Sequence, residues 1–358
     1  MKITIIGGGY GGFNLARLLD AHCDVTLIEA REAFVHNVAA IRAVAEPGLL
    51  DQIVIPYDHL LKRGRVVHGR AVAVDTGGVK LADGAHIEAD VVVIATGSHY
   101  AAPFKPQGDS AADFASALRG IAAQVAAADQ IVIIGAGAVG VELAGEIKAV
   151  HPQKQVALVS DHPRLFPLYS EKLHGKLIER LSALGVVLHL GQAANGLART
   201  DAPLNGKISL AYGSRLAGLI IPAIGARIAD SPAHGLPSIE RKPNGQLGVD
   251  GWLRPSSLPN VFVVGDLAAT GEGMTVVSTT RQTPWLAKTL RGMADGKKVE
   301  DLPAYKVWKV PPILLPLGPN KGASVLPMGS GMVVGDWVTS KIKGNALFIP
   351  RYQREFGR

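Results

Sequence analysis

Short apolar runs alternate with glycine clusters, and one such arrangement occurs twice. Residues 3–6 form an apolar run too short for a helix, leading into Gly7, Gly8, Gly9, Gly11 and Gly12. Leu15, Leu18 and Leu19 then recur at helical spacing, and a second apolar run at 25–28 closes on Glu29. The pattern predicts strand, turn, helix, strand. It returns at 131–134, with Gly135, Gly137 and Gly140, a helix through Ile147 and a strand at 156–159. A repeated βαβ unit predicts two copies of one binding domain. Further strands are expected at 91–95, 219–222 and 261–264, and an Ala-rich helix at 111–128. A helix is expected to begin near Met274–Val277. Pro284 removes one of its hydrogen bonds, which predicts a kink or an early end. Residues 301–358 carry seven prolines and no glycine fingerprint, and read as a small C-terminal module packed beside the two larger domains.

Composition narrows the class. Of 358 residues 47% are hydrophobic and 19% charged, enough for a large core, and with 5% aromatic that core must be aliphatic. No stretch of about 18 apolar residues lacks a charge or a proline, so no membrane span is expected. The chain begins directly on a strand and has lysine at position 2, so neither a leader peptide nor N-myristoylation is expected. Cys23 is the single cysteine, which rules out an intramolecular disulfide and a two-cysteine relay. No histidine pair at metal-ligand spacing and no Ser/His/Asp set stands out, so no metal site is expected. The net charge of +7 admits nucleic acid, an anionic membrane or anionic cofactors as partners. It is concentrated near the end. From 305 to 358 stand Lys306, Lys309, Lys321, Lys341, Lys343, Arg351, Arg354 and Arg358, against Asp336 and Glu355.

The chemistry lies in the repeats. Gly7-x-Gly9-x-x-Gly12 follows a strand and opens a helix, where the first glycine turns the chain and the second lets backbone approach a pyrophosphate. The third lets helix and strand pack closely, with the helix N-terminus facing the phosphates. Glu29 stands where a carboxylate can accept from a ribose diol. Tyr10 and Gly11 inside the motif, and Arg31 beyond the acid, join the candidate cofactor contacts. Gly135-x-Gly137-x-x-Gly140 repeats the motif, with Val139 inside it and Glu142 in the helix it opens. Ser160 takes the place of Glu29. A carboxylate there would repel a 2′-phosphate and a hydroxyl would not. Arg164 could reach such a phosphate and Asp161 could accept from a diol, so NADH and NADPH both stay open.

Three further pieces follow strands: Ile94-Ala95-Thr96-Gly97, its analogue ending in Gly225, and Val261-Phe262-Val263-Val264-Gly265-Asp266. With them the chain resembles the FAD and NAD(P)H oxidoreductases that have two dinucleotide-binding domains. These include disulfide reductases, ferredoxin reductases and single-subunit NADH dehydrogenases. The segment His36-Asn37-Val38-Ala39-Ala40-Ile41-Arg42, and in the tail Gly318-Pro319-Asn320-Lys321-Gly322 followed by Gly331 to Lys341, resemble the ferroptosis suppressor quinone reductases, relatives of the apoptosis-inducing-factor flavoproteins. The resemblance implies an α/β fold with two Rossmann-like domains, the NAD(P)H domain (109–245) inserted in the FAD domain (1–108 and 246–300), and a C-terminal module at 301–358. It implies FAD on the first fingerprint and NADH or NADPH on the second. Asp266 would hold the ribityl chain, Arg42 would lie by the FAD phosphates, Val72 by the adenine and Glu142 near the nicotinamide. His36, Asn37 and Glu142 are the candidate catalytic residues.

The implied reaction carries hydride from NAD(P)H to flavin, then electrons directly to a quinone-type acceptor. The helix starting near 274–277 is a candidate to stabilise the reduced ring with its N-terminal N–H groups. The alternatives are a reductase of a small ferredoxin- or rubredoxin-like protein, and a redox-sensing or nucleic-acid-binding flavoprotein with slow turnover. A cytoplasmic protein is expected, touching an anionic membrane through 305–358, with nucleic acid the less favoured partner. The oligomeric state and the physiological acceptor stay open.

Overall fold

A computed structural model describes every residue of the chain except Pro103 and Ser256. The first sheet is wholly parallel, with five strands in the spatial order Val261–Val263, Val91–Ile94, Lys2–Ile6, Asp24–Glu29 and Arg65–His68. The two-residue period of Lys2–Ile6 sorts its side chains between two cores. Ile3 and Ile5 pack with Phe13, Leu15 and Leu19 of helix Tyr10–Leu19 and with Leu286 and Leu290 of helix Val276–Ala294. Ile6 faces the other way, onto Val74, Val79 and Leu81 of a three-stranded antiparallel sheet. Burial on both faces is why the central strands read as unbroken apolar runs.

The second sheet centres on Gln130–Ile134, parallel to Gln155–Val159 on one side and Arg215–Pro222 on the other. Val186–His189 extends it in parallel, and Leu204–Leu210 and Ala194–Asn195 extend it antiparallel. Helices Ala111–Ala127, Ala138–Val150 and Glu171–Ala183 bury Val125, Leu143 and Leu177 against Ile131 and Ile133. The chain finishes this sheet and returns to lay Val261–Val263 beside Val91–Ile94.

One expectation changes here. Pro284 does not end its helix, which runs unbroken from Val276 to Ala294. The proline is on the exposed side, where the carbonyl it releases can face water. The segment beyond 301 packs against both sheets. It forms an antiparallel hairpin sheet of Ile313–Pro316, Gly322–Leu326 and Met332–Val334, then the short helices Asp336–Thr339 and Ile349–Glu355 with a π-helical turn, Ser340–Gly344, between the first and second. Leu315, Ala323 and Val325 enter the core of the second sheet, while Tyr352 and Phe356 enter that of the first. A methyl on Gly145 would overlap the Leu317 backbone, so that glycine is what lets this hairpin approach helix Ala138–Val150.

Candidate functional site

The two fingerprints share one stereochemistry. Gly7 (φ +98°) and Gly135 (φ +107°) occupy the left-handed region, and a Cβ on either would meet the carbonyl that ends a neighbouring strand, at Ala95 or Ala223. A Cβ on Gly12 would overlap the Gly7 carbonyl, and one on Gly140 the Gly135 carbonyl. Gly9 and Gly137 instead have nothing within 4 Å where a Cβ would point. The first and third glycines of each motif are required by the protein's own packing. The second leaves room for something the protein does not supply.

A cavity of about 330 Å³ opens at the first motif. Of the residues singled out in the sequence, Gly7, Gly9, Tyr10, Gly11, Glu29, Arg31, Asn37, Ala95, Thr96, Gly97, Gly265 and Asp266 line it. Glu29 is buried, and its carboxylate accepts the Gly8 N–H (2.5 Å) and the Arg31 N–H (3.0 Å). The Tyr57 hydroxyl donates to the Gly8 carbonyl (2.9 Å), pinning the loop from the other side. Asp266 accepts from Ser98 Oγ (2.6 Å) and from Lys105 Nζ (3.3 Å). Arg70 and Asp109, also on this wall, form a bidentate pair at 2.5 and 2.6 Å.

A second cavity of about 300 Å³ shares Tyr10, Asn37, Lys105, Asp266 and Thr279 with the first, so the two form one cleft. Its walls are mostly apolar, with Tyr100, Phe104, Val139, Ile313 and Phe348 among them. It also holds one buried ion pair. Lys343 Nζ donates to both oxygens of Glu142 (2.7 and 2.8 Å) and to the Leu314 carbonyl (3.1 Å). Burial pushes the Glu142 carboxyl up to about 7, with Lys343 working against that rise. The N-terminus of helix Val276–Ala294, capped by Thr275 through the Ser278 N–H (3.1 Å), opens onto the same space.

Other singled-out residues lie elsewhere. Arg42 lines neither cavity. Its guanidinium is bidentate to buried Glu146 (2.8 and 2.9 Å) and donates to the Gly344 and Asn345 carbonyls. Val72 faces outward, because strand alternation turns its neighbour Ala71 into the first cavity instead. His36 is fully buried behind Tyr10 and touches neither cavity, and burial lowers its imidazole to about 4. Gly135, Gly137, Gly140, Ser160 and Gly225 are outside both cavities. Register puts Ser160 one residue past Val159, which pairs with Ile134 just as Ile28, before Glu29, pairs with Ile6. Lys343 and Lys105 were not singled out as site residues. Lys343 counts in the sequence only as tail charge, and Lys105 sits in a loop without a motif.

The site fits a dinucleotide flavin. Asn37 Oδ1 is buried without a hydrogen-bond partner beside the cleft, and the open side of Gly9 offers backbone to a phosphate. Residues 1–285 match the model of the pyridine nucleotide-disulphide oxidoreductase family, and the chain belongs to that family. It is a flavin-dependent NAD(P)H oxidoreductase, with FAD and NAD(P)H as its cofactors. Among its relatives, apoptosis-inducing factor homolog B of Dictyostelium discoideum is 31% identical over 98% of this chain and 95% of that one. Ferroptosis suppressor protein 1 of Homo sapiens is 28% identical over 98% and 94%. NDH2 from Plasmodium falciparum, solved in complex with NADH, superposes with a TM-score of 0.74 at 14% identity, covering 99% of this chain and 97% of that one.

Proposed function

We propose that the second cavity receives a quinone-type acceptor, making the protein an NAD(P)H:quinone oxidoreductase without a cysteine relay. The observation that carries this is an apolar cavity continuous with the flavin cleft, in which Lys343 pairs with buried Glu142. An aromatic acceptor gains from apolar walls, and its oxygens from a nearby ammonium and a carboxyl that can hold a proton. The single buried cysteine leaves the chain no dithiol to interpose. The likeness to ferroptosis suppressor proteins, over nearly the full length of both, favours the same reading.

Bound FAD would supply the two-electron chemistry, taking hydride from NAD(P)H and releasing electrons to the acceptor. The protein's part is to hold and orient. We assign the FAD-binding domain to 1–108 and 246–300, the NAD(P)H-binding domain to 109–245 and the rest to 301–358. Glu29 would hold the adenosine ribose, Asp266 the ribityl chain and Asn37 an FAD polar group. The first turn of helix Val276–Ala294 would offer N–H groups to negative charge on the reduced ring. Glu142 and Lys343 would hold and pass a proton at the acceptor end.

The acceptor's route supports a peripheral contact with an anionic membrane. Among the described residues no helix is long and apolar enough to cross one. Exposed Met274 lines the second cavity, and exposed Val307 stands between Lys306 and Lys309 on the loop leading to cavity residues Pro312 and Ile313. Arg281 anchors that loop by stacking on Trp308 (4.1 Å) and pairing with buried Glu272 (2.7 Å). The usable charge is smaller than the sequence suggests, because Lys321, Lys343, Arg351 and Arg358 pair with acids. Rapid mixing of flavin-loaded protein with NADH or NADPH, then with a short-chain benzoquinone or a small ferredoxin, tests the reading. Fast reoxidation by the quinone alone supports it. Reoxidation only by the protein acceptor, or by neither, overturns it.

A further inference from the structure

His36 is buried, touches neither cavity, and joins two parts of the site that lie far apart in sequence. Its Nε2 is 2.6 Å from the Leu347 carbonyl oxygen. A carbonyl can only accept, so Nε2 carries the hydrogen and Nδ1 is left to accept the Tyr10 hydroxyl at 2.6 Å. That hydroxyl in turn accepts the Val38 N–H (3.2 Å), and its ring borders both cavities. The lowered basicity of the buried ring agrees with this neutral form.

The carbonyl that His36 holds belongs to an unusual peptide. Leu347 (φ +47°) and Phe348 (φ +62°) are consecutive residues in the left-handed region, and neither is glycine. They form the corner between the π-helical turn Ser340–Gly344, which carries Lys343, and helix Ile349–Glu355. The Leu347 carbonyl is in the bond that joins them. From this corner Phe348, Arg351 and Tyr352 reach the second cavity, and the Tyr352 ring lies 4.6 Å from the imidazole. A corner this strained persists only where its surroundings hold it.

We propose that His36 is a positioning residue for the electron acceptor: its Nε2–H fastens the Leu347–Phe348 peptide and so fixes the far wall of the second cavity. This rests on reading that cavity as the acceptor site. The latch acts on the Phe348 side of that cavity, so flavin reduction by NADH is expected to change little when it is released.

Three variants of the flavin-loaded enzyme test it: His36→Phe, His36→Gln and Phe348→Ala. Phenylalanine keeps the ring packing and deletes the donor, whereas the glutamine amide can still reach Leu347 and donate. KM for a short-chain benzoquinone is measured in steady state, and flavin reduction by NADH in single turnover. His36→Phe is expected to raise the quinone KM about fivefold or more, leave flavin reduction within twofold, and be rescued by His36→Gln. If His36→Phe loses its flavin, His36→Asn replaces it, being too short to reach Leu347 while still offering Tyr10 an acceptor. An unchanged quinone KM in the His36 variants, with a raised one in Phe348→Ala, overturns the latch and leaves the cavity reading standing. Equal losses in both half-reactions overturn the latch too. No change in any variant overturns the reading of the cavity itself.

Discussion

Replacing Lys343 by methionine tests the buried ionic centre most directly. Methionine keeps an unbranched apolar stem and deletes the ammonium that serves Glu142 and the Leu314 carbonyl. Removing one partner of a buried pair costs about 3–5 kcal/mol. Glu142 can escape part of that cost by taking a proton, so the penalty must depend on pH. In the wild-type protein burial holds this carboxyl up to about 7, against about 4.3 for a solvated glutamate. Between those values the native state keeps a proton that the unfolded chain has released, so stability falls as pH rises through that window. Above about 7 the wild-type curve levels, because the carboxylate then meets Lys343. In Lys343→Met no ammonium favours ionisation, the native carboxyl stays protonated to higher pH, and the loss continues at about 1.4 kcal/mol per pH unit. The gap between the two proteins should therefore widen by about 2 kcal/mol between pH 7 and 8.5. Urea unfolding of the flavin-loaded proteins at pH 6.5 and 8.5, followed by circular dichroism, measures that gap. The double variant Glu142→Gln/Lys343→Met leaves no charge buried there and should be more stable at pH 8.5 than Lys343→Met alone. A gap independent of pH, or a double variant no more stable than the single one, refutes the reasoning.

Gly12→Ala must displace the Gly7 carbonyl and should give no flavin-loaded protein, whereas Gly9→Ala finds open space, folds, and binds FAD about tenfold more weakly, as flavin fluorescence titration would show. Ser160→Glu restores the diol-binding carboxylate at the second motif and should lower kcat/KM for NADPH about tenfold relative to NADH; equal effects on both would contradict the assignment. Arg70→Ala opens the exposed clasp to Asp109 at the first cavity. FAD release followed by fluorescence should quicken by up to about fivefold and lose part of its salt dependence.

The glycine motifs were legible because most of their constraints are local: Gly12 meets the Gly7 carbonyl and Glu29 accepts the Gly8 N–H, all within one βαβ unit. Asp266 could be read because it sits in the short turn Gly265–Leu267 that follows strand Val261–Val263 at the cleft. What sequence could not supply was partnership over distance. Glu142 stood out in its helix, but the lysine that answers it is delivered 201 residues later by a π-helical turn that no periodicity announces. Arg42 shows the same reach over distance. A matched motif gave it a position by resemblance, while its guanidinium is taken by Glu146, 104 residues away. At Val72 the sequence shows no sign of the bulge that sets it between Ala71, on the first cavity, and Ala73. The edge strand Arg65–His68 escaped notice because only its two central residues are apolar.

Helix Ala138–Val150 carries Glu142 and Glu146 one turn apart, and each is met by a cation from outside residues 109–245: Lys343 from near the end of the chain, Arg42 from near its beginning. Cutting at the boundaries the sequence suggests would strand two carboxylates in an apolar interior, so the three segments are not separable parts. The same rivets tie that helix to both ends of the chain. A graft of residues 109–245 onto another protein would have to bring Arg42 and Lys343 with it.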